Sequence, residues 1–175
     1  MVTSVVRQLR LLLLGAWLGA AVFFGAAVAP ALFNVLRGAG LANANELAGS
    51  IVTRLLAIIN KGGFEIALFL FVTAFFVNRN RSTVRRVAEM ISLAIMAIMT
   101  GVNHWMISGR MIQLRAAMGS AIDQVLPNDP RRVEFDSLHR YSVLAMGVAM
   151  IAGLIAFFVM ARFRESASRE KAAGS

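Results

Sequence analysis

The run LLLLGAWLGAAVFFGAAVAPALFNVL, from Leu11 to Leu36, contains no charged residue over 26 positions. As an α-helix it would be about 39 Å long at 1.5 Å per residue. That exceeds the roughly 30 Å thickness of the hydrocarbon core of a bilayer, so the run predicts a membrane-spanning helix. Gly15 with Gly19, and Gly25 with Ala29, are pairs of small residues four positions apart. Such pairs are typical of surfaces where membrane helices approach each other closely.

Three further apolar segments follow, and the sequence therefore predicts an all-α integral membrane protein built as a four-helix bundle. The predicted spans are residues 11–36, 51–77, 88–109 and 139–161, flanked by a basic leader at 1–10 and a charged tail at 162–175.

The segment between the third and fourth spans is predicted to be an outer loop containing an amphipathic helix, residues 110–138. Its first part, residues 110–125, either extends the third helix or lies on the membrane surface. Asp129-Pro130 predicts the start of the fourth helix, because aspartate is a favoured N-cap and proline suits the first helical position.

The composition is also that of a membrane protein, with 58% apolar residues, 15% charged residues and a mean hydropathy of +0.70. The net charge is +9, but the basic residues lie at the ends of the apolar runs. We interpret them as orientation signals and as partners for lipid headgroups rather than as a nucleic-acid surface. The headgroup candidates are Arg79, Arg81, Arg85 and Arg86.

Lysine and arginine are more numerous in the leader, the 79–86 turn and the tail than in the 110–140 region. By the positive-inside rule, this predicts cytoplasmic termini, and we expect the chain in a bacterial inner membrane. The chain has no cysteine, which excludes disulfides, thiolate catalysis and cysteine-ligated metals.

Polar residues near the spans are the candidates for binding or transport. They are Lys61, Glu65, Asn103, His104, Arg110 and His139. Ionisable residues within a bilayer normally face the bundle interior and pair with one another. Lys61 and Glu65 are one helical turn apart, so they are predicted partners, with Glu65 the deepest ionisable group. Either the two residues form a structural ion pair, or Lys61 extends its side chain outward toward water, or they belong to a path for ions or protons.

The two histidines have several interpretations. His104 suits a hydrogen bond between helices, and His139 suits a solvated helix start. Together, or with nearby methionines, they could instead ligate haem, copper or zinc. No catalytic motif is present, so the sequence predicts no catalytic residue, no metal site and no cofactor.

Short motifs in three of the helices resemble those of an uncharacterised family of bacterial four-helix membrane proteins that includes animal transmembrane protein 205. The matching residues are Trp17-Leu18-Gly19, Phe23, Pro30 and Phe33; Asn103, Trp105 and Arg110; and Phe135, Leu138-His139, Ser142 and Leu144. The resemblance implies the four-helix architecture, with Asn103, Arg110 and His139 as the polar cluster. His104 is not part of the family pattern.

The first functional hypothesis is a non-enzymatic membrane protein that acts through helix packing with itself, with a larger membrane complex or with lipid. Small residues support close packing in the fourth helix as well as the first, at Ala149 and Gly153. The alternative is a small transport or permeation unit that uses Lys61, Glu65, Asn103 and His139. The third hypothesis is a membrane haem or metal protein.

Overall fold

A computed structural model describes residues 2–77 and 82–161, and this part of the chain is helical apart from short loops. The α-helices are α1 Val2–Phe23, α2 Ala29–Gly38, α3 Ala44–Val77, α4 Thr83–Gly101, α5 Ser108–Met118 and α6 Pro130–Ala161. Two π-helical turns, Phe24–Val28 and Val102–Ile107, join α1 to α2 and α4 to α5, and Ile122–Gln124 forms a 3₁₀ turn.

Four continuous helical segments are long and apolar enough to cross a membrane: Val5–Gly38, Ala44–Phe76, Thr83–Met118 and Pro130–Ala161. The prediction of an all-α chain with four such helices is confirmed for the described residues. The leader lies mostly within α1, which begins at Val2, and the tail lies outside the described residues.

Residues 110–138 were predicted to form an outer loop, but much of this segment belongs to the helices on either side of it. Residues 110–118 continue the third helix, so the first of the two alternatives for this segment holds that far. The helix ends where Gly119 adopts a φ of 64°, a left-handed conformation that glycine enters without steric cost. Residues 130–138 already belong to α6.

The π-helical turn Phe24–Val28 has a local cause in Pro30. Proline has no N–H to donate and its ring crowds the preceding turn, so an ordinary α-helical turn cannot continue through it. The wider turn lets the N–H of Ala29 donate to the carbonyl of Phe24, five residues back. The helix therefore continues past the proline instead of ending there.

The four segments form a bundle in which α1, α3, α4 and α6 each pack against two neighbours, with α6 returning to α1. The shared core includes Leu14, Trp17, Leu70, Met96 and Ala149, all buried. We call the end with the 39–43 and 119–129 loops the distal end, and the end with Val2 and Ala161 the proximal end.

Close approach depends on particular glycines. The indole of Trp17 lies directly against Gly63 of α3, where an added Cβ would stand 2.5 Å from Nε1. Nε1 also donates to the carbonyl of Ile59 at 2.9 Å. Gly153 of α6 also lies against this ring, where an added Cβ would be 3.3 Å from Cζ3 of Trp17.

The predicted packing residues are divided between interior and surface. Ala149 and Gly153 are buried and Gly15 packs against Phe157, whereas Gly19 and Gly25 are exposed. Ala29 is half-buried.

The start of α6 is fixed by Asp129, as the Asp-Pro pair predicts. The carboxylate accepts the N–H of Arg131 at 2.8 Å and pairs with the Arg131 guanidinium at 2.7 Å. Arg131 in turn donates to the carbonyl of Ala117 at 2.6 Å, which ties the end of α5 to the start of α6. These contacts with the side chain and N–H of Arg131 lower the pKa of Asp129 to about 2.

Substitution Asp129→Ala is expected to lower the melting temperature of the detergent-solubilised protein by a few degrees, because the cap is lost. In the wild type, the stability that the ionised Asp129 cap provides should be fully present above pH 4. It should decline as the pH falls toward 2, because the pKa of Asp129 is lower in the folded state than in the unfolded state. Thermal unfolding followed by circular dichroism measures both effects. An equal loss in Asn128→Ala, at the exposed neighbouring position, would contradict the assignment.

Candidate functional site

A cavity of about 250 Å³ opens between the distal ends of all four spans, and we call it the distal cavity. Its walls combine apolar side chains with three arginines, a histidine and the carboxylate of Asp136. The lining residues are Phe33 and Arg37 of α2; Asn45, Gly49, Val52, Thr53 and Leu56 of α3; Ser108, Met111 and Arg115 of α5; Ile122; and Arg132, Phe135, Asp136, His139 and Ser142 of α6.

Each arginine of the distal cavity is held in place by a polar contact. Arg37 Nε donates to Asn45 Oδ1 at 2.7 Å. Arg115 Nη1 donates to Glu46 Oε1 at 2.9 Å, and Arg132 donates to the carbonyl of Val125. Fixed guanidinium groups lose little side-chain entropy when they bind an anion.

Arg115 is the most constrained of the three. Its guanidinium carbon lies 5.1 Å from the ring centroid of Phe135. An added Cβ at Gly49 would be only 2.5 Å from Nη2, so the guanidinium could not keep this position beside a larger residue. Gly49 therefore leaves space for the charged group of Arg115 as well as for the contact between α3 and α5.

The floor of the distal cavity is polar. Ser142 and Ser108 line it, and beneath them Asn103 is fully buried. Asn103 Nδ2 donates to the carbonyl of Ser142 at 3.2 Å and, more weakly, to Asn60 Oδ1 at 3.4 Å. Asn103 Oδ1 and Asn60 Nδ2 have no hydrogen-bond partner among residues 2–77 and 82–161. One acceptor and one donor are thus left for a water or a polar ligand group.

The second π-helical turn, Val102–Ile107, places Asn103 in this floor. The carbonyl of Asn103 accepts both the N–H and, at 2.8 Å, the hydroxyl of Ser108, five residues on. There is no proline nearby, so the wide turn is maintained by these polar contacts. Turns of this kind are frequent at functional sites.

The structure does not bring the six predicted site residues together. Asn103 is in the floor and His139 lines the distal cavity, whereas His104 lies outside the lining, with its ring against Trp105. Arg110 pairs with Glu134 at 2.7 Å on the surface.

Lys61 and Glu65 pair with each other at 3.0 Å, as their spacing predicts. Both side chains are nevertheless 60% exposed, on the outer surface of α3, and neither lines the distal cavity. The expectation that they face the bundle interior is therefore not met. The four residues that the transport hypothesis groups together therefore do not form one site. Asn103 and His139 are at the distal cavity, whereas Lys61 and Glu65 are not.

The two histidines lie in different surroundings, and no group of three His, Asp or Glu side chains suited to a metal ion occurs in the described residues. Of the headgroup candidates, Arg85 is exposed and Arg86 lies with its guanidinium carbon 5.6 Å from the ring centroid of Phe75. Arg79 and Arg81 lie outside the described residues.

A buried ion pair near the proximal end was not predicted. Arg10 and Glu89 are 1% and 0% exposed, and Arg10 Nη2 lies 2.6 Å from Glu89 Oε1. The same nitrogen donates to the carbonyl of Leu70 at 2.8 Å, which links α1, α3 and α4. The sequence contains a hint of this pair. Arg10 and Glu89 have opposite charges, and each lies at the start of a span that begins at the proximal end of the bundle.

Comparison with known proteins gives one match. The model of an uncharacterised family, described as a domain of unknown function (DUF4149), matches residues 12–120, more than half of the chain. No curated protein matches the chain. No solved structure matches it either.

Proposed function

We propose that this chain, which belongs to the DUF4149 family of domains of unknown function, is a non-enzymatic multi-pass membrane protein that binds the anionic head of an amphiphilic molecule in the distal cavity. The observation that carries the proposal is the lining of that cavity, where Arg37, Arg115 and Arg132 stand beside apolar side chains. Guanidinium groups bind phosphate and carboxylate with charge-assisted hydrogen bonds.

The apolar part of the lining suits the chain of an amphiphile next to its head. Phe33, Leu56, Met111 and Phe135 are contributed by four different helices. A volume of about 250 Å³ would admit a headgroup with the first part of an acyl chain, and the rest would extend between the helices into lipid. The most frequent anionic amphiphile at such a position is a phospholipid.

Tight packing below the floor supports binding rather than passage. Leu14, Met96 and Ala149 are fully buried there, and Trp17 fills the space between them and Gly63. An ion that reached Asn103 would meet this apolar layer, where charge is costly.

A small transport unit is the second candidate, and the unpaired Asn103 Oδ1 and Asn60 Nδ2 favour it. In that case Asn103→Ala and His139→Ala would abolish solute flux in reconstituted vesicles while the protein stayed assembled. A haem or metal protein is the third candidate, and it would need both histidines to reach one group. His139 lines the distal cavity and His104 does not.

Native mass spectrometry of protein extracted gently from its own membrane tests the lipid proposal. Added phosphatidylglycerol should bind in preference to phosphatidylcholine, and Arg132→Gln should weaken its binding about tenfold, through the loss of a charge-assisted bond. The matched control is Arg140→Gln, which removes an exposed arginine from the same helix outside the cavity. Equal loss in both variants, or no preference for the anionic lipid, would refute the site.

We also propose the finer placement in the membrane. The distribution of lysine and arginine supports cytoplasmic termini in a bacterial inner membrane. The motifs around Trp17, Asn103 and His139 support kinship with the family of transmembrane protein 205. Association with lipid, with further copies or within a larger membrane complex completes the proposal.

A further inference from the structure

A second cavity lies on the outer side of the wall that α3 and α5 form, and we call it the lateral groove. Its volume is about 310 Å³. Three side chains, Thr53, Met111 and Arg115, line both this groove and the distal cavity, so the two spaces adjoin along them. The remaining lining residues are Glu46, Ser50 and Arg54 of α3 and Ile112 of α5. The proposed function leaves the lateral groove unused.

Arg54 is an exposed cation in this groove. Among the residues that the structure describes, none forms an ion pair or a hydrogen bond with its side chain. From Arg54 to the proximal end of α3 at Val77 is 23 residues, or roughly 35 Å at 1.5 Å per residue. That is somewhat more than the thickness of a hydrocarbon core of about 30 Å. Arg54 is therefore at the distal edge of the core, at the depth of lipid headgroups.

The charges of the lateral groove suit a ligand with one negative charge. Arg54 and Arg115 contribute two positive charges, and Glu46, whose Oε1 is 2.9 Å from Arg115 Nη1, contributes one negative charge. The resulting net charge of +1 matches a phosphodiester, which has a single negative charge, better than a phosphate monoester. Guanidinium groups bind phosphate oxygens through charge-assisted hydrogen bonds.

The two hydroxyl groups of the lateral groove can accept hydrogen bonds from a ligand but cannot donate to it. Ser50 Oγ donates to the carbonyl of Leu47 at 2.9 Å, and Thr53 Oγ1 donates to the carbonyl of Gly49 at 2.7 Å. Each hydroxyl has only one proton, which these bonds use. A ligand with free hydroxyl groups next to its phosphate would supply the matching donors.

Apolar side chains lie beside these polar groups. Ile112 is exposed in the wall of the groove, and Ile58, one turn of α3 farther into the membrane than Arg54, is 69% exposed. Acyl chains would cover this surface, whereas free phosphate would gain nothing from it. The combination of cations and apolar surface at this depth therefore indicates a lipid as the occupant.

We infer that the lateral groove is a second lipid site, where Arg54 and Arg115 bind the phosphodiester of an anionic phospholipid whose head carries hydroxyl groups, as phosphatidylglycerol does. Ser50 and Thr53 accept hydrogen bonds from those hydroxyl groups, and the acyl chains extend past Ile58 into the membrane. The site is additional to the proposed site in the distal cavity and does not depend on it.

Native mass spectrometry with added phosphatidylglycerol tests the second site. The wild type should retain two molecules per chain, and Arg54→Gln should weaken the binding of one of them about tenfold, through the loss of a charge-assisted bond. Arg140→Gln is the matched control, because it removes an exposed arginine of α6 that lines neither cavity. Unchanged binding in Arg54→Gln, or an equal loss in Arg140→Gln, would overturn the inference. Displacement of the lipid by an equal concentration of inorganic phosphate would also overturn it.

Combining Arg54→Gln with Arg132→Gln separates the two lipid proposals. If each substitution weakens a different bound lipid, both sites are supported. A loss in Arg54→Gln alone would support the lateral groove and refute the distal cavity, and a loss in Arg132→Gln alone would do the reverse. If both substitutions weaken the same single lipid, there is one site, and the second is refuted.

Fluorescence quenching provides a measurement that removes no arginine. The chain has no cysteine, so Ile58→Cys or Ile151→Cys can carry a single fluorophore, and both positions are exposed. In mixed bilayers, brominated phosphatidylglycerol should quench the label at position 58 about twofold more than an equal fraction of brominated phosphatidylcholine, because bound lipid is enriched there. The label at position 151, on α6, should be quenched equally by the two lipids. Equal quenching at position 58 would refute the second site.

Discussion

Substitution Glu89→Leu, with Arg10 left in place, is expected to lower the free energy of unfolding by about 3–5 kcal/mol, the cost of leaving one partner of a buried ion pair uncompensated. The guanidinium of Arg10 is 1% exposed and keeps its bond to the carbonyl of Leu70, so it cannot reach water without separating α1 from α3 and α4. Arg10→Leu should cost a similar amount for the same reason.

The double variant distinguishes a charge effect from a packing effect. Replacing both residues with leucine removes both charges, and the loss should be clearly smaller than in either single variant. Unfolding in mixed micelles, followed by circular dichroism, measures all three. Glu134→Leu is the matched control, because the Arg110–Glu134 pair is exposed and should contribute little. If the loss in unfolding free energy in the double variant equals the sum of the two single-variant losses, the two residues do not stabilise each other.

Substitution Gly63→Ala is expected to destabilise the bundle by about 1–3 kcal/mol, the usual cost of overpacking. The added Cβ would be 2.5 Å from Nε1 and 2.7 Å from Cε2 of Trp17, and a ring cannot bend away as a flexible chain can. The indole would have to move, which would also break its bond to the carbonyl of Ile59.

The neighbouring glycine provides the control. Nothing lies within 4 Å of a Cβ added at Gly62, so Gly62→Ala should be neutral or slightly stabilising, since alanine favours the helix. Fluorescence of Trp17 reports the movement of the ring once Trp105, which is exposed, is replaced with phenylalanine. Similar stability of the two variants would show that Trp17 can be accommodated elsewhere.

The positions of the long helices can be predicted from local sequence features. Which face of each helix contacts the other helices cannot. The uncharged run from Leu11 predicts the first span, and Asp129-Pro130 marks the start of α6. Within a membrane, however, side chains toward lipid and toward other helices are both apolar. Periodicity therefore did not indicate that Lys61 and Glu65 are on the outside of α3, nor which of Gly62 and Gly63 contacts Trp17.

The distal cavity was beyond sequence reasoning for a different reason. Its arginines are at positions 37, 115 and 132, and they meet because three helix ends converge. Asn103 and His139 were identified as polar residues near membrane spans, but nothing local indicated that Asn103 would be buried in a floor beneath a cavity. Arg10 and Glu89 lie at the edges of the first and third predicted spans, and their mutual contact depends on the arrangement of α1 against α4.

A π-helical turn is equivalent to one residue inserted into an α-helix, and it rotates everything beyond it by about 100°. Phe33 and Arg37 follow one such turn, and Ser108, Met111 and Arg115 follow the other. The proximal halves of these helices precede the π-helical turns, so they are not rotated. Loss of one residue from either turn would therefore rotate Arg37 or Arg115 away from the distal cavity while the proximal half of that helix stayed in place.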